Sequence, residues 1–433
     1  LRRVGYFTFT RSGTAGTGDA MADFFLGSPD RLQQGGGEYG IRHYWSRSLF
    51  VQDNLRATTN LKVNIGLRWD PFTPPAEQNG KSPCYVPGAK SQRYPNAPAG
   101  YIYAGDPGCP SGGSENRWAQ FAPRLGFAYN IGGKGTTTIR GGTGLSYQPP
   151  FLEAYNQMSA TPPFSQQVDL RRGRYPRLSF QDPYGSAGVP NPFPAGYGPK
   201  TPGSDAPVVK PVVAVTYAGD WKPSQVWTWN LTLERQLVRD VVVRAGYAGA
   251  KGTHLGFNTD LNAGIKGVRP NPDFDKIIQD IPGGNSIYNS LIVAADKRFS
   301  KGISVGASFT WGKSIDWTSS LSDLDTVNVV NPYHYAAYRA VSDFNVPHRF
   351  VLHYVWQIPS PSGALRHVFG GWQTTGIWNW QSGFPLSIGS GVDNSVSFVG
   401  NDLADVASKP GLTSGARGAK IAKWFTTEAF RFP

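Results

Sequence analysis

Tyr288–Trp317 reads YNSLIVAADKRFSKGISVGASFTWGKSIDW, and its second half alternates without a break. Ile303, Val305, Ala307, Phe309 and Trp311 fall on one face of an extended chain; Ser304, Gly306, Ser308, Thr310 and Gly312 fall on the other. Ser300-Lys301-Gly302 before them supplies a tight turn, so the stretch predicts a two-stranded hairpin. One such hairpin suits a soluble sandwich. The same pattern repeated, with short turns at one end and long loops at the other, places lipid against the apolar face.

The repeat is present on both sides. Upstream, Val63, Ile65, Leu67 and Trp69 alternate with Asn64, Gly66 and Arg68. Phe121, Leu125, Phe127 and Tyr129 run into a Gly132-Gly133-Lys134-Gly135 turn, and Ile139, Leu145 and Tyr147 return. Trp227, Trp229, Leu231 and Leu233 turn at Val238-Arg239-Asp240 into Val241, Val243, Ala245 and Tyr247. Downstream come Phe350, Leu352, Tyr354 and Trp356, then Trp372, Trp378 and Trp380. About ten strands in five hairpins are predicted over residues 44–382, each long enough for a tilted crossing of a hydrocarbon layer. The long connections are read as about 72–117, 148–222, 251–285, 318–345 and 383–423. The fold class is therefore all-β: an antiparallel transmembrane β-barrel, partial, with short periplasmic turns and long extracellular loops.

Composition agrees. Of 433 residues 16% are charged and 13% aromatic, with 53 Gly and 35 Pro, which speaks against disorder and against a helical enzyme. No apolar run is long enough for a membrane helix. The net charge of +13 is scattered rather than clustered, so no nucleic-acid partner is expected. Cys84 and Cys109 match no zinc spacing, and a disulfide bracing an exposed loop is expected, with free thiols as the alternative. The chain opens on Leu1 without a signal-like segment and reads as an internal piece of a longer protein.

Several segments, kept in order, resemble one family: GLRWD at 66–70, PNAPAGYIYAGDPG at 95–108, FAPRLGFAYNIGGKGTTTIRGGTG at 121–144, AGYAGAKGTHL at 245–255, the opening hairpin, SDFNVPHRFVLHYVWQIP at 342–359 and GGWQTTGIWNWQSGFPLSI at 370–388. Together they are similar to TonB-dependent outer-membrane receptors of the Oar-like type. That resemblance implies a barrel of 22 strands in the outer membrane of a Gram-negative cell, with a plug inside it. It also implies energy from the inner-membrane TonB complex through that plug, which this sequence does not show. The cargo is open among siderophore, oligosaccharide, peptide and protein. From the residues alone, a passive porin-like channel and a surface or soluble all-β adhesin or carbohydrate-binding module stay open.

Candidate lumen-facing charges are Arg68, Arg124, Arg140, Glu234, Arg244, Asp296 and Arg298, with Asp70 and Arg349 beside them. They read as a guide for anionic solute or as a wall of mutually paired charges. Tyr101, Tyr103, Tyr155, Phe164, Tyr184 and Tyr197 are the ligand candidates, being aromatic and on long loops. Tryptophans at strand ends, such as Trp69, Trp227, Trp311 and Trp356, read as an interfacial girdle. His348 and His353 fall on opposite faces of one strand and cannot chelate together. Asp393, Asp402 and Asp405 match no defined calcium loop. No nucleophile elbow, phosphate loop or zinc helix is present; neither an enzyme nor a cofactor is expected.

Overall fold

A computed structural model describes residues 5–10, 16–35, 40–149, 152–165, 167–191, 193, 201–319, 331–400 and 402–431. Ten strands form one antiparallel meander: β1 Leu49–Arg56, β2 Leu61–Trp69, β3 Phe121–Asn130, β4 Thr137–Gln148, β5 Ser224–Val238, β6 Val241–Asp260, β7 Phe274–Ser300, β8 Ile303–Asp316, β9 His348–Gln357 and β10 Gln373–Gln381. Each pairs only with its sequence neighbours along the wall. Two short strands join the sheet off this path: Val212–Tyr217 lies parallel to the far end of β7, and Ala340–Val341 pairs with β8. Among the described residues the wall stays open, with β1 and β10 at its edges.

The register shows why one face is apolar. A single hydrogen-bonded row crosses nine strands as Leu61, Tyr129, Ile139, Leu233, Ala245, Val293, Phe309, Phe350 and Trp380. Along that face Leu231 and Val293, both mid-strand, are 46% and 45% exposed, and Trp378 is 64% exposed. A continuous apolar surface of this extent is unfavourable in water and carries no such cost against acyl chains. In β2 the row sits at Leu61, next to the short turn; in β10 it sits at Trp380, seven residues past the strand's start. That stagger is roughly one residue per strand, and with a rise of roughly 3.3 Å against a spacing of roughly 4.8 Å it tilts the strands by roughly 35°.

The short turns follow from local chemistry. Between β7 and β8, Lys301 and Gly302 have φ of 50° and 79°, and Ser300 pairs with Ile303 across them. Two positive φ values in a two-residue loop give the primed turn whose twist matches the flanking strands. On the apolar face aromatic rings lie over glycines directly opposite: Phe127 over Gly141, Trp229 over Gly249 and Tyr354 over Gly376. A Cβ at any of these glycines would stand 2.4–2.6 Å from the ring, so the glycine is the recess that the ring fills.

The long connections need correction. The expected loop over 251–285 is mostly strand, because β6 runs to Asp260 and β7 begins at Phe274. Alternation is lost there for a physical reason. Phe257, Asn258, Thr259 and Asp260 are all buried, since both faces of this extension are covered, and a doubly covered strand has no period-2 signature. Two register shifts, with His254 at φ 55°, disguise it further. At 27 residues β7 spans roughly 85 Å, well beyond the roughly 30 Å hydrocarbon layer. The connections over 72–117 and 148–222 are also not structureless: they fold on this extension as a cap with its own aromatic cores. No helix among the described residues is long and apolar enough to cross a membrane.

Candidate functional site

The polar face of the wall carries its charges in two tiers. Near the short turns, Arg140 Nη2 lies 3.6 Å from Glu234 Oε1. Glu234 stands directly opposite Arg244 in register, and Arg244 is ion-paired with Asp296. Four of the expected charges thus line up across β4, β5, β6 and β7 as two ion pairs that the register sets side by side. His353 of β9 lies beside it, opposite Gly306. A Cβ on Gly306 would come within 2.4 Å of His353 Nε2 and 2.8 Å of Asp296 Oδ1, so both side chains lean over the space that Gly306 leaves open. The sequence signal was the small residue at 306, whose register partners are Asp296 and His353.

The second tier sits at the long-loop end. Arg68 Nε donates to both Asp70 oxygens at 2.7 and 2.8 Å and its Nη2 donates to Ser48 at 2.7 Å. Arg124 lies between Gly66 and Gly144 on its neighbours, and Arg349 is opposite Thr310 and Gln381. Arg298 stands apart, where the β7–β8 ladder breaks between Lys297 and Ser300; its amide donates to Asp240 O at 2.8 Å. Most of these pairs are half-exposed, so each adds well under about 1 kcal/mol to folding; their effect is the charge pattern they present.

The loop aromatics sit differently from the expectation. Tyr101, Tyr103 and Tyr155 have no exposed surface, and Phe164 and Tyr184 are buried. They are cores of the cap rather than a recognition surface. Tyr94, Tyr101, Tyr103 and Phe164 pack edge to face at centroid separations of 4.9–5.7 Å, and Tyr101 reaches Phe274 of β7 at 6.1 Å. The Tyr101 hydroxyl donates to Thr161 Oγ1 at 2.7 Å and that of Tyr103 to Pro162 O at 3.0 Å. Tyr184 donates to Gln34 at 2.8 Å. Tyr197 lies outside the described residues. Aromatic, Gly- and Pro-rich loop sequence does not distinguish a ligand surface from a loop with its own core.

Cys84 and Cys109 are joined, with 5.6 Å between their Cα atoms, and pack with buried Ile102. Beside them Asp106 accepts from Ser91 Oγ and from the amides of Gln92, Arg93 and Tyr103 at 2.6–3.0 Å. Burial pushes the Asp106 carboxyl up, but these donors outweigh it and hold it below the usual range. A separation of 25 residues makes the crosslink worth about 3.5 kcal/mol on the loop-entropy argument. Reduction, or Cys84→Ser with Cys109→Ser, is expected to make residues 76–106 protease-sensitive while the wall stays protected; limited proteolysis followed by mass spectrometry checks this.

Two buried charges were not anticipated. Arg42 bonds the Tyr155 carbonyl and Ser159 Oγ and lies over the Tyr155 ring; burial lowers its pKa to about 10. Asp280, on the extension of β7, accepts from Trp221 Nε1 at 2.7 Å, and burial pushes its pKa up to about 7. The oxygen-rich loop is internally satisfied: Asp393 accepts from Ser395, Ser397 and Phe398, and Asp402 from Ser395. Among the described residues no group of three or more His, Cys, Asp and Glu side chains is placed to hold a metal.

The family model described as an outer membrane beta barrel domain matches residues 2–433. The chain belongs to the outer-membrane β-barrel family. Its apolar face is the lipid face, and the cap is built from the long extracellular connections. Among solved structures, this barrel domain is similar to the outer membrane transporter YddB from Escherichia coli (12% identity, 87% of this chain and 42% of that one, TM-score 0.43). It is also similar to the alcaligin outer membrane receptor FauA from Bordetella pertussis (13%, 83% and 39%, 0.35) and to a chain of the FpvAI–pyocin S2 complex (10%, 86% and 32%, 0.41). The barrel domain therefore spans about a third to two fifths of those chains. No curated protein matches it.

Proposed function

We propose that this chain forms wall and cap of a TonB-dependent receptor that binds a solute outside the cell and takes it up actively. The observation that carries the proposal is the row of alternating charges Arg140, Glu234, Arg244 and Asp296, two ion pairs side by side, on the opposite face from the lipid row. A wall built only to sit in a membrane has no need of it, whereas a plug or a passing solute needs polar partners there. The ordered resemblance to Oar-like receptors and the folded extracellular cap support the same function. Relatives of similar fold include a copper transporter and siderophore receptors, so a small solute is the first cargo to test.

Deletion of the complete reading frame should leave one or more solutes in spent medium that the parent strain removes, and deletion of tonB should leave the same ones. Solutes removed by the parent regardless of tonB would instead assign a passive channel. Once such a solute is known, Arg140→Glu combined with Arg244→Glu is expected to cut its uptake at least tenfold while detergent-extracted protein levels stay unchanged. Unaltered uptake would leave the row of charges as wall structure only.

A further inference from the structure

The cap encloses a cavity of about 780 Å³ that shares no residue with the charged tiers. Its walls come from three separate extracellular excursions: Val168–Tyr175 and Val209–Val213 from the connection between β4 and β5, Gly267–Asp275 from the β6–β7 connection, and Phe398–Gly400 from beyond β10. The volume falls in the usual range for small-molecule sites, and apolar side chains make most of the lining, as in such sites.

The polar part is one-sided. Each carboxylate at the cavity is already engaged: Asp169 by Arg31 and Arg171, Asp275 by Arg269, and Asp393 by the serine and amide donors of its own loop. Among the cations, Arg171, Arg269 and Lys210 have carboxylate partners. Arg174 has none among the described residues; its guanidinium lies beside the Tyr175 ring at 5.8 Å. Lys276 lies in the same field, where burial first and Arg171 second lower its proton affinity. Of the four cations that line the cavity, exposed Arg174 is therefore the one left without a carboxylate among the described residues.

The rim is strained in a way that serves the cavity. Val396 and Phe398 both have positive φ, 52° and 60°, a conformation costly for a β-branched and a bulky residue. Asp393 holds it by accepting from the amides of Ser397 and Phe398. The outcome is that Phe398 stands over the Arg269 guanidinium at 5.1 Å and closes one side of the cavity.

We infer that this cavity binds an amphipathic acid: a flat apolar body seated against Val213, Val268 and Phe398, with a single carboxylate or sulfonate on Arg174. The inference deepens the uptake function by giving the class of solute, and it rests on that function only for the onward passage of the ligand, not for its binding.

The test uses the full chain, purified in detergent, with 2-naphthoate as probe and 2-naphthalenemethanol as its neutral counterpart, both followed by calorimetric titration. Saturable one-to-one binding of 2-naphthoate is expected, about tenfold or more tighter than the alcohol, as one charge-assisted contact provides. Arg174→Gln should remove that preference and leave alcohol binding unchanged; Arg174→Lys should restore part of it. Val268→Trp, at an exposed lining position, should abolish both while circular dichroism stays that of the parent. Absence of saturable 2-naphthoate binding, or binding that neither Arg174→Gln nor Val268→Trp alters, would overturn the inference. Because no transport is involved, that failure leaves the uptake proposal standing, and loss of the uptake proposal leaves this result intact.

Discussion

Val293→Lys is expected to block membrane assembly of the wall, whereas Ser308→Lys is expected to be tolerated. The two positions lie on adjacent strands, one residue apart in register, since Val293 pairs with Phe309 and Ala294 with Ser308. Val293 is part of the lipid row near mid-strand, where a lysine costs about 2–4 kcal/mol. Ser308 points to the polar face, where an ammonium stays hydrated. The comparison holds residue type nearly constant and changes only sidedness. Val305→Lys, three residues past the Lys301-Gly302 turn, should fall between them because the penalty declines towards the interface. Protease protection after refolding into lipid vesicles reads all three, and equal yields for Val293→Lys and Ser308→Lys would refute the assigned faces.

Asp280→Asn should remove most of the pH dependence of cap stability. In the folded cap burial keeps the Asp280 carboxyl protonated up to about pH 7, while the unfolded chain releases that proton near its ordinary value of 3.8. Stability from this group is therefore complete below about pH 4, declines as pH rises, and is lost once pH passes about 7. The full span is worth on the order of 4 kcal/mol at about 1.36 kcal/mol per pH unit. Asparagine keeps an oxygen to accept from Trp221 Nε1 and carries no charge to desolvate. The variant should be the more stable protein at pH 8 and close to the parent at pH 4.5. The chain has 13 tryptophans, so cap unfolding in urea is followed at both pH values by limited proteolysis and mass spectrometry of the cap peptides rather than by bulk emission. A parent whose cap stability does not change between these pH values would show that the carboxylate is accommodated charged.

Both results concern features that differ in how far sequence discloses them. The wall was legible because lipid on one side and a polar interior on the other write period 2 into every strand, from Val63 in β2 to Trp380 in β10. The row of charges was legible for the same reason: Arg140, Glu234, Arg244 and Asp296 each occupy the polar phase of their strands, and alternation fixes the face. What it does not fix is the register between strands, so the placing of Asp296 and His353 on either side of Gly306 emerged only from the pairing. The cap was not legible. Its cores join residues far apart in the chain, Phe72 with Tyr155, Tyr217 and Ile278, and no local period records such contacts. Asp280 illustrates the same limit, since nothing in IIQDIPG marks one carboxyl for complete burial beside Trp221.

The stagger of the lipid row sets where the gene can tolerate change in length. A single residue inserted between Leu231 and Leu233 would turn over the faces for the remainder of β5. It would also move every later strand by one step, because each strand takes its register from the one before. Deletions there carry the same penalty across five further strands. Insertions at the exposed Gly88 in the cap, where a side chain would meet nothing within 4 Å, disturb no ladder. Length variation among descendants of this sequence should thus collect outside the cell, and the spacing between successive wall strands' apolar positions should stay fixed.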